Sequence, residues 1–576
     1  MRLAFKTLLL VPPKPKPNSF AHTPRTLLLQ PPAKTLVLLR AAPTPSFRCS
    51  ACAPMSTHLH VRDGIEPSLK EEEIFDRLRK TLSHFHLDTQ LRVAGGWVRD
   101  KLLGKECKDI DIAIDNMMGT EFADKVREYS LSFGKEEDVK GVHVIESNPD
   151  QSKHLETARM SLFGQEIDFV NLRSEEYTEN SRIPSKQSFG TPEEDAYRRD
   201  LTINSLFYNI NTKLVEDFTK RGISDLKSGK IVTPLPPKST FLDDPLRVLR
   251  AIRFCARFDF TLDEDLKVAA ACDDVKDALA AKISRERIGT EIDLMISGNQ
   301  PVKAMTYISE LTIFWIVFSL PPESVPAIPD GCESLCISYL DTAWNLIRLL
   351  GESFFTVKKE AEQKRLALYA ALFLPLRNTT YREKKNKKIP VVNHIIRESL
   401  KRKAKDAETV LDLYRASYKL SLLIPYLVSG EDIQVIDHDW MRHVTDVPVS
   451  SRVRVLTGFL LREIKHYWRV ALLMSTIVHP IDINDTEDEY SQLCKRRDLF
   501  STVENSIIKL GLDEVWDAKQ LINGKDVMNT LQVKGGPLVK EWLDKAMAWQ
   551  LAYPSGTAEE CIEWLTEANS KRVKLE

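Results

Sequence analysis

The pattern that most constrains this chain is a short alternation of acidic and apolar residues at 109–114. In Asp-Ile-Asp-Ile-Ala-Ile, Asp109 and Asp111 alternate with isoleucines. A repeat of two predicts a β-strand that presents both carboxylates on one face and anchors the isoleucines in a core on the other. Two carboxylates on a rigid strand supply the hard oxygen ligands with which Mg²⁺ bridges the phosphates of a nucleotide. An exposed strand is the alternative for so common a pattern.

A glycine pair precedes this strand in the chain. Gly95 and Gly96 open the segment Gly-Gly-Trp-Val-Arg-Asp at 95–100. Because no Cβ intrudes, a turn built on these glycines can approach phosphate groups closely. Alone, the pair would equally indicate a surface turn. Its position just before the acidic strand favours phosphate binding.

The two segments together resemble the signature of the class II polymerase-β-like nucleotidyltransferases. That family includes the bacterial and eukaryotic CCA-adding tRNA nucleotidyltransferases and the bacterial poly(A) polymerases. The resemblance implies that Asp109 and Asp111 are catalytic and hold two Mg²⁺ ions. It also implies a nucleotide site that includes Gly95, Gly96 and Arg99.

Composition indicates an ordinary globular protein. The chain has 576 residues, of which 43% are hydrophobic and 28% charged, enough for three or more packed units. It contains no run of about 18 or more apolar residues, so no membrane span is predicted. Nine cysteines without regular spacing indicate reduced thiols in an intracellular compartment rather than a disulfide framework.

The first 62 residues differ from the rest in charge. They contain nine Lys or Arg and no Asp or Glu, which leaves 72 basic and 82 acidic residues in the remainder. An acid-free stretch of this length predicts an organellar transit peptide, for the mitochondrion or the chloroplast, and a disordered tail is the alternative. Met55 lies within it, so initiation there would give a cytoplasmic and nuclear form. The basic residues at 571–574 resemble a nuclear import signal or, equally, a solvated end.

The periodicity predicts an α+β fold class. Short β-rich runs alternate with helices between 91 and 232, a proline-rich break follows at 233–237, and apolar residues then recur at helical spacing. With the resemblance, this predicts a polymerase-β-like nucleotidyltransferase head with a mixed sheet, followed by an all-helical neck, body and tail. The predicted parts are a transit peptide or disordered segment at 1–62, a catalytic head at 63–232, a helical neck with a nucleotide-selecting template at 233–300, and a tRNA-binding body and tail at 301–576.

A third carboxylate is expected on a neighbouring strand. Asp168 lies in the strand pattern at 164–170 and is the candidate to accept the proton of the primer hydroxyl or to complete the metal site. Glu166 would share its face, so the choice between the two stays open. A solvent-facing strand residue is the alternative for either.

The segment 198–204 matches the family's R-R-D-x-x-I-N motif. Arg198 and Arg199 suit triphosphate recognition, because a guanidinium donates paired hydrogen bonds to oxyanions. Asp200 can accept a bond from a ribose hydroxyl, and Asn204 can both donate and accept. The combination predicts selection of ribonucleotides. A salt-bridged surface helix is the alternative.

A third motif, at 243–250, predicts base selection. Asp244 and Arg247 are three residues apart at the predicted start of a helix, and Arg250 continues the same face. A carboxylate can accept from the exocyclic amine of cytosine or adenine while a guanidinium donates to a ring acceptor. In the family this element is the amino-acid template that selects CTP and then ATP. A simple salt bridge at a helix start is the alternative.

Downstream the sequence is less specific. Residues 284–292 resemble the family's last shared element, whose Glu and Arg brace the helices under the template. Basic clusters at 384–388 and 401–405 are candidates to contact the tRNA backbone, although solvated loops would explain them as well.

We therefore predict an enzyme that adds C, C and A to the 3′ end of tRNA without a nucleic-acid template, using CTP, ATP and two Mg²⁺ ions. One alternative is a poly(A) polymerase of the same superfamily, and another is a catalytically silent tRNA-binding protein. Addition of only part of the CCA end also fits the motifs. The sequence leaves the oligomeric state open.

Overall fold

The computed structural model describes residues 60–132, 139–145, 157–176, 184, 186–351, 354–383, 386–434, 444, 446–481 and 488–575. Most of the predicted transit peptide, Met55, Lys384 and Lys385 therefore lie outside the described residues. No helix within the described ranges combines the length and apolarity that a bilayer crossing would need.

The strands are β1 (Leu91–Ala94), β2 (Ile110–Ile114), β3 (Val139–Ile145), β4 (Thr157–Leu162), β5 (Gln165–Asn171), β6 (Arg173–Glu176), β7 (Lys186–Phe189), β8 (Phe207–Asn209), β9 (Leu214–Glu216), β10 (Lys230–Ile231), β11 (Thr261–Leu262), β12 (Thr380–Glu383) and β13 (Lys387–Pro390).

The helices of the first half are α1 (Leu69–His84), α2 (Gly96–Leu102), α3 (Gly119–Ser132), α4 (Pro192–Tyr197), α5 (Gly222–Ser228), α6 (Pro237–Asp243), α7 (Leu246–Phe258), α8 (Glu264–Ala270), α9 (Asp273–Lys282), α10 (Arg285–Ile296) and α11 (Pro301–Glu310). Those of the second half are α12 (Phe314–Val317), α13 (Cys332–Leu350), α14 (Glu360–Leu372), α15 (Val391–His394), α16 (Ala404–Ser429), α17 (Arg452–Ile464), α18 (Trp468–Val478), α19 (Glu489–Lys509), α20 (Gly524–Leu531), α21 (Pro537–Ala552) and α22 (Ala558–Leu575).

A seven-stranded mixed sheet organises the first part of the chain. Its order is β3-β4-β5-β2-β1-β8-β9. The neighbours β2 and β5 run parallel, whereas the other adjacent strands run antiparallel. The predicted mixed-sheet head is thus confirmed, and β2, the strand with the acidic pattern, lies at its centre.

The two faces of β2 differ in chemistry, as its alternation predicts. Ile110, Ile112 and Ile114 are buried in the main core, which also receives the apolar face of α1. Asp111 and Ala113 lie on the opposite face, where Ala113 packs in a small separate cluster with Phe207. One strand therefore joins the core to the candidate site.

The chain beyond the sheet is largely helical, as the helical spacing of its apolar residues predicted. The expectation of an all-helical remainder was wrong in two places. β11 pairs in parallel with β10, and β12 forms an antiparallel hairpin with β13. The two strands of this hairpin carry Arg382, Lys387 and Lys388, and such closely spaced basic residues leave no apolar alternation to indicate a strand. The four-part division of the chain stays a prediction.

Candidate active site

Neighbouring strands bring two of the predicted carboxylates together. Asp111 of β2 and Asp168 of β5 are register partners in the parallel pair, and Asp109 immediately precedes β2. Register partners place their side chains on the same face of the sheet. Asp109, Asp111 and Asp168 are therefore the acidic centre of the candidate site.

Asp168 and Glu166 differ in their surroundings. The side chain of Asp168 is 15% exposed and accepts two hydrogen bonds of 2.6 Å from Arg159 on β4. Glu166 is 74% exposed and lies 3.8 Å from the same guanidinium. Because Asp168 is held in place, it is the better candidate for the third carboxylate. Arg159 was missed in the sequence, since only the pairing of β4 with β5 brings it to Asp168.

The carboxylates of the acidic centre repel one another. Burial and the negative charges of Asp109 and Asp168 raise the pKa of Asp111 from 3.8 to about 6. A divalent cation between the carboxylates would relieve this repulsion, and Mg²⁺ takes oxygen ligands of this kind. Within the described residues, no group of three His, Cys, Asp or Glu side chains is arranged to hold a metal by itself. Mg²⁺ commonly completes its coordination with water and substrate phosphates.

The predicted glycine turn lies beside the arginine motif. Gly95 has a φ of +71°, and a Cβ added there would lie 2.8 Å from Nη1 of Arg199. A larger residue would therefore suffer both backbone strain and a clash. The turn leads directly into α2, which begins at Gly96. Gly95 thus allows the backbone to pass close to a cationic side chain.

A buried carboxylate that the sequence analysis missed anchors Arg198 and Arg199. Asp195 is 1% exposed and accepts two hydrogen bonds from each arginine, including Nε bonds of 2.8 Å from Arg198 and 3.0 Å from Arg199. Burial opposes its ionisation, yet the two guanidinium groups hold its pKa at about 2. The sequence did offer a signal, because Asp195 precedes the two arginines by three and four residues, a spacing at which helical side chains meet.

The rest of the motif forms a buried network. Asp200 accepts hydrogen bonds from Arg250 (2.7 Å) and Asn204 (3.0 Å), and despite burial the charge of Arg250 keeps its pKa at about 2. Arg99 is 3% exposed, donates to Asp100 and Asn204, and lies 4.8 Å from the ring centres of Phe254 and Phe258. A direct nucleotide contact by Arg99, Asp200 or Asn204 stays a prediction, because these side chains would have to give up their present hydrogen bonds to bind the nucleotide.

The two template residues lie close in the chain but have different partners. Arg287 of α10 donates to both oxygens of Asp244, at 2.7 and 3.3 Å, and Asp244 accepts from the N–H of Leu246 at the start of α7. Arg247 is 8% exposed and donates to the carbonyl oxygen of Arg198 at 2.7 Å. The simple Asp244–Arg247 salt bridge is thus replaced by bonds to other elements. Arg287, expected only to brace the helices, contacts Asp244, the candidate base-selecting carboxylate, directly.

Comparison with known proteins covers most of the chain. Residues 91–232 match the family described as the poly A polymerase head domain. The chain is 35% identical over 498 residues to the mitochondrial CCA tRNA nucleotidyltransferase of Saccharomyces cerevisiae, covering 82% of this chain and 87% of that protein. It is also 35% identical over 532 residues to the mitochondrial CCA tRNA nucleotidyltransferase of Candida glabrata, covering 87% of this chain and 96% of the relative.

Two further comparisons define the extent of the likeness. The match to poly(A) polymerase I of Haemophilus influenzae, at 32% identity, covers 30% of this chain and 36% of that one. The structure of the Bacillus stearothermophilus CCA-adding enzyme in complex with CTP superposes with a TM-score of 0.57 at 18% identity, covering 88% of this chain and all of that one, which shows the fold. The shared head domain and the long similarity to the yeast enzymes establish that this chain belongs to the CCA tRNA nucleotidyltransferase family.

Proposed function

We propose that the protein adds C, C and A to the 3′ end of tRNA from CTP and ATP, without a nucleic-acid template. The extent of similarity carries this conclusion. The match to CCA enzymes spans more than four fifths of the chain, whereas the match to the poly(A) polymerase covers 30% of it. The two kinds of enzyme would differ in how they end nucleotide addition, and we assign that difference to the helical remainder. This part of the chain is shared with CCA enzymes.

Members of this polymerase-β-like family typically use Mg²⁺. In our proposal, Asp109 and Asp111 hold two Mg²⁺ ions, and the raised pKa of Asp111 supports this assignment. When bound, the ions would lower the pKa of the tRNA 3′ hydroxyl and stabilise the leaving pyrophosphate. Asp168, fixed by Arg159, lies beside Asp111 and is placed to complete the site or accept the hydroxyl proton.

Arg198 and Arg199 bind and orient the triphosphate in this proposal. Asp195 holds both guanidinium groups on one buried carboxylate, so their positions are set before the nucleotide arrives. Asp200 and Asn204 are held with Arg250 and position the ribose end of the site. Gly95 lets the turn before Gly96 lie directly against Arg199, so the backbone of the turn is beside the guanidinium that binds the triphosphate.

Asp244 and Arg247 select the base. Cytosine and adenine both present an exocyclic amine beside an acceptor nitrogen, so a carboxylate and a guanidinium can recognise either base. Uracil and guanine present a carbonyl in place of that amine, which would leave two acceptors facing each other. Arg287 holds the carboxylate of Asp244 in a fixed orientation through two donated hydrogen bonds.

We also propose that residues 1–62 direct the protein to the mitochondrion, while a form starting at Met55 serves the cytoplasm and nucleus. The acid-free composition of the segment and the mitochondrial designation of both yeast relatives support this location. The comparisons lend no support to the chloroplast alternative.

The test uses the purified full chain, a tRNA transcript lacking its CCA end, Mg²⁺, and CTP and ATP singly or together, with products resolved on a sequencing gel. Growth by three nucleotides followed by arrest is expected. An unlimited adenosine ladder would instead indicate a poly(A) polymerase. No extension at all would favour a silent tRNA-binding protein, and arrest after CC or after a single A would indicate partial addition.

A further inference from the structure

Positive charge is concentrated in one segment of an otherwise acidic chain. Residues 380–405 contain ten Lys or Arg and two Glu, whereas the 514 residues after position 62 contain 72 basic and 82 acidic residues. A protein with this balance can attract a polyanion only where its cations cluster. The segment therefore forms the strongest candidate surface for an anionic partner.

The structure places six of these cations at exposed positions of adjoining elements. The hairpin β12–β13 contacts helix α15, where the rings of Tyr381 and His394 meet edge to face with centres 5.5 Å apart. We define the basic face as the exposed cations of the hairpin and of the segment 395–403 between α15 and α16, namely Arg382, Lys387, Lys388, Arg397, Lys401 and Lys403.

Few acidic groups neutralise the basic face. Among the described residues, Lys401 is its only member with an ion pair, at 2.8 Å to Glu398. Arg382 donates to the neutral amide oxygen of Asn386. Burial lowers the pKa of the nearby His394, the negative charge of Glu398 opposes this, and the positive charges of Arg285 and Lys401 add to it. The face therefore retains positive charge for an external anion.

Helix α10 fixes the basic face relative to the base-selecting carboxylate. A Cβ on Gly289 would collide with the carbonyl oxygen of Leu400, so the segment 395–403 packs directly on the backbone of α10. Arg402 donates to Thr290, the residue after Gly289 in the same helix, at 3.4 Å. α10 also carries Arg287, which holds Asp244. One rigid helix thus connects the two regions.

We propose that the basic face binds the sugar-phosphate backbone of tRNA and holds it in register with the base-selecting site. This inference rests on the proposed function and names the surface that contacts its RNA substrate. Backbone contacts suit an enzyme that must accept tRNAs of every sequence, because phosphates carry no sequence information. The short part of α10 from Arg287 to Thr290 then sets the separation between the bound backbone and Asp244.

The test measures the affinity of the full chain for a tRNA lacking CCA, by filter binding at several salt concentrations and without nucleotide. Lys387→Ala/Lys388→Ala should weaken binding about tenfold and reduce the slope of log Kd against log salt by about one to two, since each lost phosphate contact removes about one counterion. Lys387→Arg/Lys388→Arg should retain both values. The matched control is Lys70→Ala/Lys230→Ala, which removes two exposed lysines elsewhere.

The outcomes separate this proposal from the proposed function. An unchanged Kd and salt slope in the alanine pair would overturn the basic face as an RNA surface, as would an equal loss in the control pair. Binding is measured without catalysis. Failure of the native protein to add CCA would therefore refute the proposed function, whereas the slope of log Kd against log salt would still show whether the basic face binds RNA.

Discussion

Replacement of Asp195 by asparagine should destabilise the protein and weaken nucleotide binding together. The carboxyl is 1% exposed, and the charges of Arg199 and Arg198 hold its pKa at about 2 against an ordinary value of 3.8. At 1.36 kcal/mol per pKa unit, this difference contributes about 2.5 kcal/mol to the free energy of unfolding at neutral pH. Because the folded pKa is the lower one, the contribution is complete above about pH 4 and is lost as the pH falls through 2.

Asparagine has nearly the same size but carries no charge, and its amide nitrogen cannot accept a bond from a guanidinium. Urea titration at pH 7 should show the loss of about 2.5 kcal/mol. Since Arg198 and Arg199 lose their common anchor, the KM for CTP and for ATP should rise about tenfold, which corresponds to about 1.4 kcal/mol.

Glu193→Gln is the matched control, because it makes the same chemical change at an exposed position on the same helix, α4. It should leave both the free energy of unfolding and KM unchanged. If Asp195→Asn behaves like this control in both measurements, the buried carboxylate does not anchor the arginines and the reasoning fails.

Other predictions concern the metal site and targeting. Asp111→Asn should abolish transfer but spare tRNA binding in a filter assay; appreciable residual activity would contradict its metal role. Because Asp111 ionises only near pH 6, the Mg²⁺ concentration that gives half-maximal activity should rise about tenfold per pH unit below 6, and a constant requirement would count against the assignment. Asp168→Asn should lower kcat whereas Glu166→Gln should not; the reverse would make Glu166 the third carboxylate. A fluorescent reporter behind residues 1–62 should enter mitochondria, and one starting at Met55 should not; identical distributions would reject the targeting proposal.

Local patterns were sufficient to predict the central strand and the start of one helix. The alternation at 109–114 predicted β2 and its buried isoleucines, because side chains alternate along a strand, although Asp109 lies just outside the strand. The start of α7 beside Asp244 was also predicted, since a carboxylate can accept from the free N–H groups of a first turn. In each case the determining interactions join residues only a few positions apart.

Tertiary structure decided which side chains meet. Asp111 and Asp168 become neighbours through the parallel pairing of β2 with β5, and Asp244 gains Arg287 through the packing of α7 against α10. The sequence alone determined the residue types at the site and the elements that carry them. Which side chains become partners depends on strand order and helix packing. These are set by the close packing of apolar residues over the whole core, so they involve residues far apart in the sequence.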